Sequence, residues 1–483
     1  MQYIRLIFVC IILSNGLLIA GCKTSKGPKT VLPNVVILLA DDLGYGDLGC
    51  YGGVGAETPQ IDQLAAEGMR FTHFYAASAV CSPSRASILS GLFPIRMDIR
   101  QAFTEKDAAH LPTEVTILPE LLREKGYFSA MIGKWHLGGN RPHHIDARQK
   151  GEASELPGPL QQGFDYYLTT IEGEPPRQTL IRERRMYAES GKYLVRNDKR
   201  IAAIHKQWDE IKTDEAIQLM DSCKTIGKPF FLHMCFDAPH EPYERVPGTL
   251  DSIYRSRGHK QDQLFFRARV THLDEQVGKI IHALKSKGLF ENTLILFTSD
   301  NGAIHEGNPG PFKGGKTDLH EGGLRVPMLA VWKGIITPFT VNQSLTHHAD
   351  IVPTICDFLG IDHSKTKYDG RSMKQALSGA YIQRDAPMFF QLDKYEAFQG
   401  HGPRPEPHIT TALIEGNNKY TTDELRPAQL FNLSSDYRED YNRIKDEPET
   451  VKRLHTITLQ FWNDKRFYPY PKGTPDPRIL PKH

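Results

Sequence analysis

The chain is short of most residues that mark a specialised architecture. Seven cysteines in 483 residues are too few for a disulfide scaffold. Neither sign of charge is in excess: 59 Lys and Arg stand against 57 Asp and Glu, a net charge of +2. Whole-chain charge therefore calls for no nucleic acid and no membrane surface, and any anion must be held by a local site. Apolar runs of membrane-span length do not recur, which excludes a polytopic membrane protein. No internal repeat or low-complexity tract stands out. The rest is ordinary, with 40% apolar and 24% charged residues. That composition excludes a disordered chain and a collagen. The length allows about three domains, or one large α/β domain with a smaller companion.

Residues 1–22 read as an export signal. Arg5 is their only charge, and 6–13 (LIFVCIIL) form an apolar core. The core is short of the roughly 20 residues a membrane span needs. Leu18-Ile19-Ala20-Gly21-Cys22 resembles the lipobox of bacterial lipoproteins. It implies removal of 1–21, lipidation of Cys22, and export to the periplasm, outer membrane or cell surface on a lipid anchor. An uncleaved anchor is the alternative, against which the Ser14-Asn15-Gly16 break speaks. Residues 22–33 read as a tether. Five cysteines then remain: Cys50, Cys81, Cys223, Cys235 and Cys356. An odd number leaves at least one unpaired or modified.

Almost wholly apolar runs at 35–40, 128–132, 230–236, 294–298 and 326–332 predict strands buried on both faces. Amphipathic stretches such as 61–67, 118–125 and 265–287 lie between them. The alternation predicts an α/β fold with a large, mostly parallel, doubly wound sheet. Residues 141–228 are polar and broken by Pro and Gly, and predict a long excursion from that sheet. Near Arg384 the composition shifts. Residues 410–415 and 419–421 predict short strands around Gly416-Asn417-Asn418, and 448–462 predict a helix. The expected division is a main domain over 34–383, which carries the chemistry, and a smaller α+β subdomain over 384–483. The Pro-rich tail from Phe467 is expected to wrap the surface.

Polar clusters follow the predicted strands. Asp41-Asp42 follow the first, Lys134 and His136 the second, His240 the third and Asp300-Asn301 the fourth. Open α/β sheets bind ligands beyond the carboxyl ends of their strands, so four clusters there predict one shared site. Asp41, Asp42, Asp300 and Asn301 offer oxygen alone, which suits Ca²⁺ or Mg²⁺ better than Zn²⁺. Either pair alone is better explained by a cap or turn. Two pairs at two strand ends favour a metal. Lys134 and Lys316 lie among glycines, where backbone can approach an anion and an ammonium can meet it. Singly, each also fits a solvated surface. His240 is a candidate general acid or anion donor, or merely structural beside its prolines. In Cys81-Ser82-Pro83-Ser84-Arg85, Ser82 is a candidate N-cap and Pro83 a first helical residue. Cys81 then lies at a helix N-terminus with Arg85 one turn in. From the residues alone the thiol is a nucleophile or, more ordinarily, a small buried side chain.

The same five residues match the C-x-P-S-R signature, and the chain resembles the type I, formylglycine-dependent sulfatases of the alkaline-phosphatase-like superfamily. Other blocks follow in family order: Asp41-Asp-Leu-Gly-Tyr-Gly-Asp47, the segment from Thr58-Pro to Phe71-Thr72, Gly133-Lys-Trp-His-Leu-Gly138, Ser299-Asp-Asn-Gly302 and Glu321-Gly-Gly-Leu-Arg-Val-Pro327. Leu430-Phe-Asn-Leu433 with Asp436 and Glu439 resembles the family's C-terminal region. The likeness spans about 34–465. It implies a sulfuric ester hydrolase of arylsulfatase type, with Cys81 oxidised by a formylglycine-generating maturation enzyme. Residue 81 would act as a gem-diol nucleophile. Asp41, Asp42, Asp300, Asn301 and residue 81 would surround one Ca²⁺. Arg85 and His136 would hold the diol, Lys134 and Lys316 the sulfate oxygens, and His240 would protonate the leaving alcohol. One more sulfate-side residue, expected near 162–170, finds no assured counterpart.

The implied substrate is a sulfated carbohydrate or an aryl sulfate, with glycan scavenging the expected setting. Residues 177–200 hold eight basic residues against three acidic, a candidate polyanion groove. Tyr166, Tyr167, Tyr187 and Tyr193 are candidate stacking platforms, and a solvated surface is the even alternative. Two rival functions are a phosphonate or phosphate ester hydrolase of the same superfamily and a non-catalytic glycan-binding lipoprotein. The Cys81 signature points away from di-zinc relatives with a Thr or Ser nucleophile, and no site residue is missing.

Overall fold

Asn34–Asp41 (NVVILLAD) is buried along its whole length, which is what a strand between two others inside a two-layered cover requires. It is β1 of a computed structural model that describes residues 31–103, 109–139, 156–171, 193–201, 207–241, 246, 248–259, 261–364, 366–393 and 409–464. The export signal, Cys22, Tyr187, most of the basic stretch and the tail from Phe467 lie outside the described residues. The chain continues through α1 (Pro59–Ala66), β2 (Met69–Phe71), β3 (Phe74–Tyr75), α2 (Cys81–Ser90), α3 (Leu118–Arg123), β4 (Phe128–Gly133), β5 (Tyr166–Ile171), β6 (Tyr193–Arg196) and β7 (Lys199–Ile201). It then runs through α4 (Trp208–Ile226), β8 (Phe230–Pro239), α5 (Gly248–Ser256), α6 (Gln261–Ser286), β9 (Thr293–Ser299), α7 (Glu321–Leu324), β10 (Met328–Val331), β11 (Thr340–Asn342) and β12 (Thr346–His347). Last come α8 (Ile351–Leu359), α9 (Lys374–Leu377), β13 (Met388–Gln391), β14 (Thr411–Glu415), β15 (Asn418–Asp423), β16 (Arg426–Asn432) and α10 (Pro448–Asn463).

The large sheet has the order β11-β2-β10-β9-β1-β8-β4-β5-β6-β7. Its centre, β9-β1-β8-β4-β5, is parallel, so β1, β4, β8 and β9 all end on one side. The α/β expectation holds, with β10 and the β6–β7 ribbon running antiparallel. One expectation changes. Residues 141–228 are not an excursion throughout: β5, β6 and β7 extend the sheet, and α4 packs against β4 and β8. β7 was hidden because it is an exposed edge strand, where burial imposes no apolar pattern, while β5 and β6 are short buried runs set in a polar surround.

Strands β13-β14-β15-β16 form a separate antiparallel sheet. One face packs Met388, Phe390, Ala412 and Ile414 against Tyr75, Ala79, Val80, Leu319 and Leu324. The other packs Phe389, Leu413, Tyr420 and Leu430 against Leu454 and Phe461 of α10. The small sheet thus braces the segments just before α2 and just after Lys316. A buried ion triad pins it there. Lys419 of β15, wholly buried, lies 3.0 Å from Glu321 Oε1 and 2.9 Å from Glu439 Oε1. The Glu321 N–H donates to Glu439 Oε2 (2.7 Å). All five described cysteines are free thiols.

Candidate active site

Asp41 closes β1, and Asp42 follows it at φ 70°. That left-handed conformation is uncommon outside glycine, though a short carboxylate tolerates it better than most side chains. The Asp42 N–H donates to Asp300 Oδ1 (3.1 Å), and Asn301 Nδ2 donates to Asp42 Oδ1 (2.8 Å). The ends of β1 and β9 are therefore locked together through their own polar groups.

Cys81 opens α2, and extended Val80 is the N-cap. The expected cap, Ser82, is already inside the helix, and its Oγ instead accepts the Phe103 N–H (2.9 Å). Every residue of α2 is buried, although half of it is polar: Ser82, Ser84, Ser87 and Ser90 are spent on internal hydrogen bonds, and Arg85 on Asp300. Cys81 Sγ lies 3.7 Å from Asp41 Oδ1 and 3.6 Å from Lys134 Nζ. Burial pushes the thiol far above its ordinary range, with Lys134 opposing. Burial therefore disfavours the thiolate at Cys81, the form of the side chain that attacks.

Arg85 reaches under the site. Its Nε and Nη2 donate to Asp300 Oδ2 (2.9 and 2.7 Å), its Nη1 to the Lys134 carbonyl (2.8 Å), and Nη2 lies 3.4 Å from Asp41 Oδ1. Burial pushes the Asp300 carboxyl up to about 6 against the pull of Arg85.

After β4 the chain turns at Gly133 (φ 113°), where an added Cβ would meet the Cys235 carbonyl oxygen at 1.6 Å. Only glycine fits there. The turn sends Lys134 across the end of β8, and its Nζ meets Asp41 Oδ2 at 2.7 Å. His136 (φ 56°) pairs its Nε2 with the Phe103 carbonyl (2.8 Å), which leaves Nδ1 buried and without a partner. It makes no bond to the other site residues, so its expected hold on residue 81 is not among the contacts of this structure.

Lys316 is fixed by its N–H to the Ala303 carbonyl (2.7 Å). Its Nζ lies 2.6 Å from Asp42 Oδ2 and 3.1 Å from His240 Nε2. Since an ammonium only donates, the imidazole accepts at Nε2 and its Nδ1–H faces the Glu241 carbonyl. Burial and Lys316 together push His240 below its ordinary range. For Asp41 burial works upward, but Lys134, His240, Arg85 and Lys316 hold its carboxyl well below the usual range. Asp42 is likewise lowered against burial, chiefly by Lys316.

The carboxylates of Asp41 and Asp42 suit a hard divalent cation, whereas the thiol of Cys81 and the imidazole of His240 beside them are softer donors. Asp41, Asp42, Cys81 and His240 each bring one ligand atom within 4.8 Å of the others. Asn301 Oδ1 is buried with no partner while its amide nitrogen is engaged. Asp300 stands apart from that tight group, with Oδ1 on Asp42 and Oδ2 on Arg85. Near 162–170, Gln162 is buried and donates to the Leu111 carbonyl (2.6 Å). The tyrosine platform is partly corrected. Tyr167 is fully buried and donates to Asp198, and Tyr166 is bonded to Glu215. The ring of Tyr167 is therefore not free for a sugar, whereas Tyr166 is half-buried and engaged through its hydroxyl.

Residues 33–361 match the model of the Sulfatase family. The chain belongs to the sulfatase family. This sulfatase is 33% identical over 398 residues to N-acetylgalactosamine-6-sulfatase of Canis lupus familiaris, covering 77% of the chain and 70% of the relative. It is 30% identical over 479 residues to arylsulfatase A of Homo sapiens, covering 88% and 87%. The crystal structure of Ps i-CgsB in complex with k-i-k-neocarrahexaose superposes with a TM-score of 0.76 at 26% identity, covering 90% of this chain and 94% of that one. The sulfatase is a sulfuric ester hydrolase, and its fold is alkaline-phosphatase-like. Sequence reading singled out the charged groups of its site but not Ser299 or His348, which hold the segments together from behind.

Proposed function

We propose that this sulfatase hydrolyses sulfate esters of glycans, with residue 81 as formylglycine and a Ca²⁺ held by Asp41, Asp42, Asp300, Asn301 and residue 81. The observation that carries the reading is the meeting of Lys134, Lys316 and the Asp41-Asp42 pair around the buried side chain of residue 81. A cation there supplies fixed positive charge to a crowded anionic sulfuryl group and favours an ionised diol hydroxyl. A hydrated aldehyde supplies two hydroxyls, one to take the sulfuryl group and one whose deprotonation releases it. A serine in that place would be left as a stable ester.

The chain's own residues do the rest. Lys134 and Lys316 present two ammonium groups to the sulfate oxygens in a cleft where no reorganisation is needed. Arg85 keeps Asp300 and Asp41 ionised and in place. His240, whose Nε2 meets Lys316, is the candidate to pass a proton to the leaving alcohol. An incoming sulfate draws off Lys316 and adds negative charge beside the imidazole, and both raise its proton affinity. The relatives' names support a sulfated sugar as substrate. The pattern at 18–22 supports export on a lipid anchor.

The test is the mass of the tryptic peptide 71–85 from the native host, joined to turnover on a sulfated-glycan panel. An aldehyde at residue 81 that a hydrazine reagent traps, with sugar desulfation, is the expected result. An unmodified thiol in active protein overturns the nucleophile, and cleavage of aryl sulfates without any sugar overturns the substrate class.

A further inference from the structure

His348 lies directly behind the site, fully buried, one residue past β12. Its Nδ1 accepts the Ala77 N–H (3.2 Å), and its Nε2 meets the Ser299 carbonyl (3.1 Å). An N–H can only donate and a carbonyl can only accept, so the ring is the neutral Nε2–H tautomer. Burial pushes it down to about 3, in keeping with that form. Ser299 continues the chain of bonds. Its Oγ accepts the Leu43 N–H (2.9 Å) and donates to the Asn301 carbonyl (2.9 Å).

Two side chains thus tie three segments. Leu43 follows Asp41-Asp42, Ala77 lies four residues before Cys81, and Ser299 and Asn301 flank Asp300. These segments come from 41–43, 77–81 and 299–301, and only folding brings them together. Neither side chain offers an atom to the site, since both are spent on backbone groups. Phe74 packs edge-on to the imidazole at 5.4 Å between centroids, which fixes the ring plane. An apolar side chain of similar volume would serve for packing alone. The polar ring is used to satisfy one donor and one acceptor of the segments that carry the ligands.

We propose that His348 and Ser299 form a positioning clamp that presets the spacing of the cation-binding segments. The inference rests on the cation reading of the preceding section. It assigns neither residue a contact with substrate or metal. Outer-sphere partners of this kind typically change metal affinity by about tenfold or more when removed.

The test uses the full mature protein and three variants, His348→Phe, His348→Gln and Ser299→Ala. Each is stripped with a chelator and titrated with Ca²⁺ by calorimetry, and the melting temperature of the stripped protein is recorded. His348→Phe keeps the ring volume and loses both bonds, so Ca²⁺ affinity is expected to fall about tenfold. His348→Gln can still donate to the Ser299 carbonyl and should recover part of that loss. Ser299→Ala should weaken Ca²⁺ binding by itself, which keeps the test open if His348→Phe does not fold. Wild-type affinity in both His348→Phe and Ser299→Ala overturns the clamp while leaving the cation site standing. Equal losses in the Phe and Gln variants, matched by equal drops in melting temperature, reduce His348 to packing and overturn it as well. A wild-type protein that takes up no Ca²⁺ overturns the cation reading and the clamp with it.

Discussion

At the scale of single residues, burial sets the chemistry more than charge count does. His240 gives the sharpest case. As the proposed acid, it would matter most when the departing oxygen is basic, as in a sugar alcohol, and least for a phenol. His240→Ala should therefore slow sugar sulfates by about 100-fold or more while slowing nitrophenyl-type aryl sulfates far less. Steady-state rates on the two substrate classes check it, and equal losses on both would remove the acid role. Asp47 offers a stability counterpart away from the reacting groups. Its carboxylate is buried and accepts the Gly44 and Asn308 N–H groups (2.8 and 2.9 Å). Burial nonetheless pushes it up to about 7 from an ordinary 3.8. A raised folded value means that the proton favours the folded state. That contribution is full below about pH 4 and is lost as pH rises through 7, on the order of 4 kcal/mol in all. The stability deficit of Asp47→Asn against wild type should accordingly shrink between pH 5 and pH 8, as followed by urea unfolding.

Among the elements, legibility in the sequence tracked how completely each is buried. The runs behind β1, β4, β8 and β9 were readable because both faces of each strand are covered, so apolar residues are continuous. The run at 326–332 shortens to Met328–Val331 because Arg325 and Pro327 precede the paired residues. Strand β5 was not readable, since it sits in a polar stretch and its register comes from β4. The start of α2 was misplaced for a related reason. Ser82 has the chemistry of a cap, but a distant N–H from Phe103 claims its hydroxyl. Charged site residues were legible because several clusters of acids and lysines recur at strand ends, where caps, turns or solvated surface explain each cluster only singly. His348 and Ser299 were not, because a buried bond to backbone leaves no periodicity or spacing behind. The small sheet supplies an element-scale prediction. Removing the Lys419 charge leaves Glu321 and Glu439 buried against each other. Lys419→Met should cost about 3–5 kcal/mol and lower activity, because Glu321 opens α7 just beyond Lys316. Pairing it with Glu439→Gln should return part of the stability, as thermal unfolding of the double variant would show.

For the molecule as a whole, the catalytic groups come from many parts of the chain and meet only in the finished fold. Chelation should therefore be felt globally. A cation held at 100 times its dissociation constant contributes about 2.7 kcal/mol. Its removal should lower the melting temperature by several degrees, reversibly and in proportion to the logarithm of Ca²⁺ concentration. No shift on chelation would count against the site. The burial of α2 has a consequence of a different kind, one of order in time. Cys81 is 2% exposed and its helix is covered along every residue. An enzyme that must take this thiol into its own active site finds it only on a chain that has not yet closed over α2. The oxidation proposed for residue 81 would thus have a deadline, and folding would set it. A molecule that folded first would remain well formed and permanently unfinished.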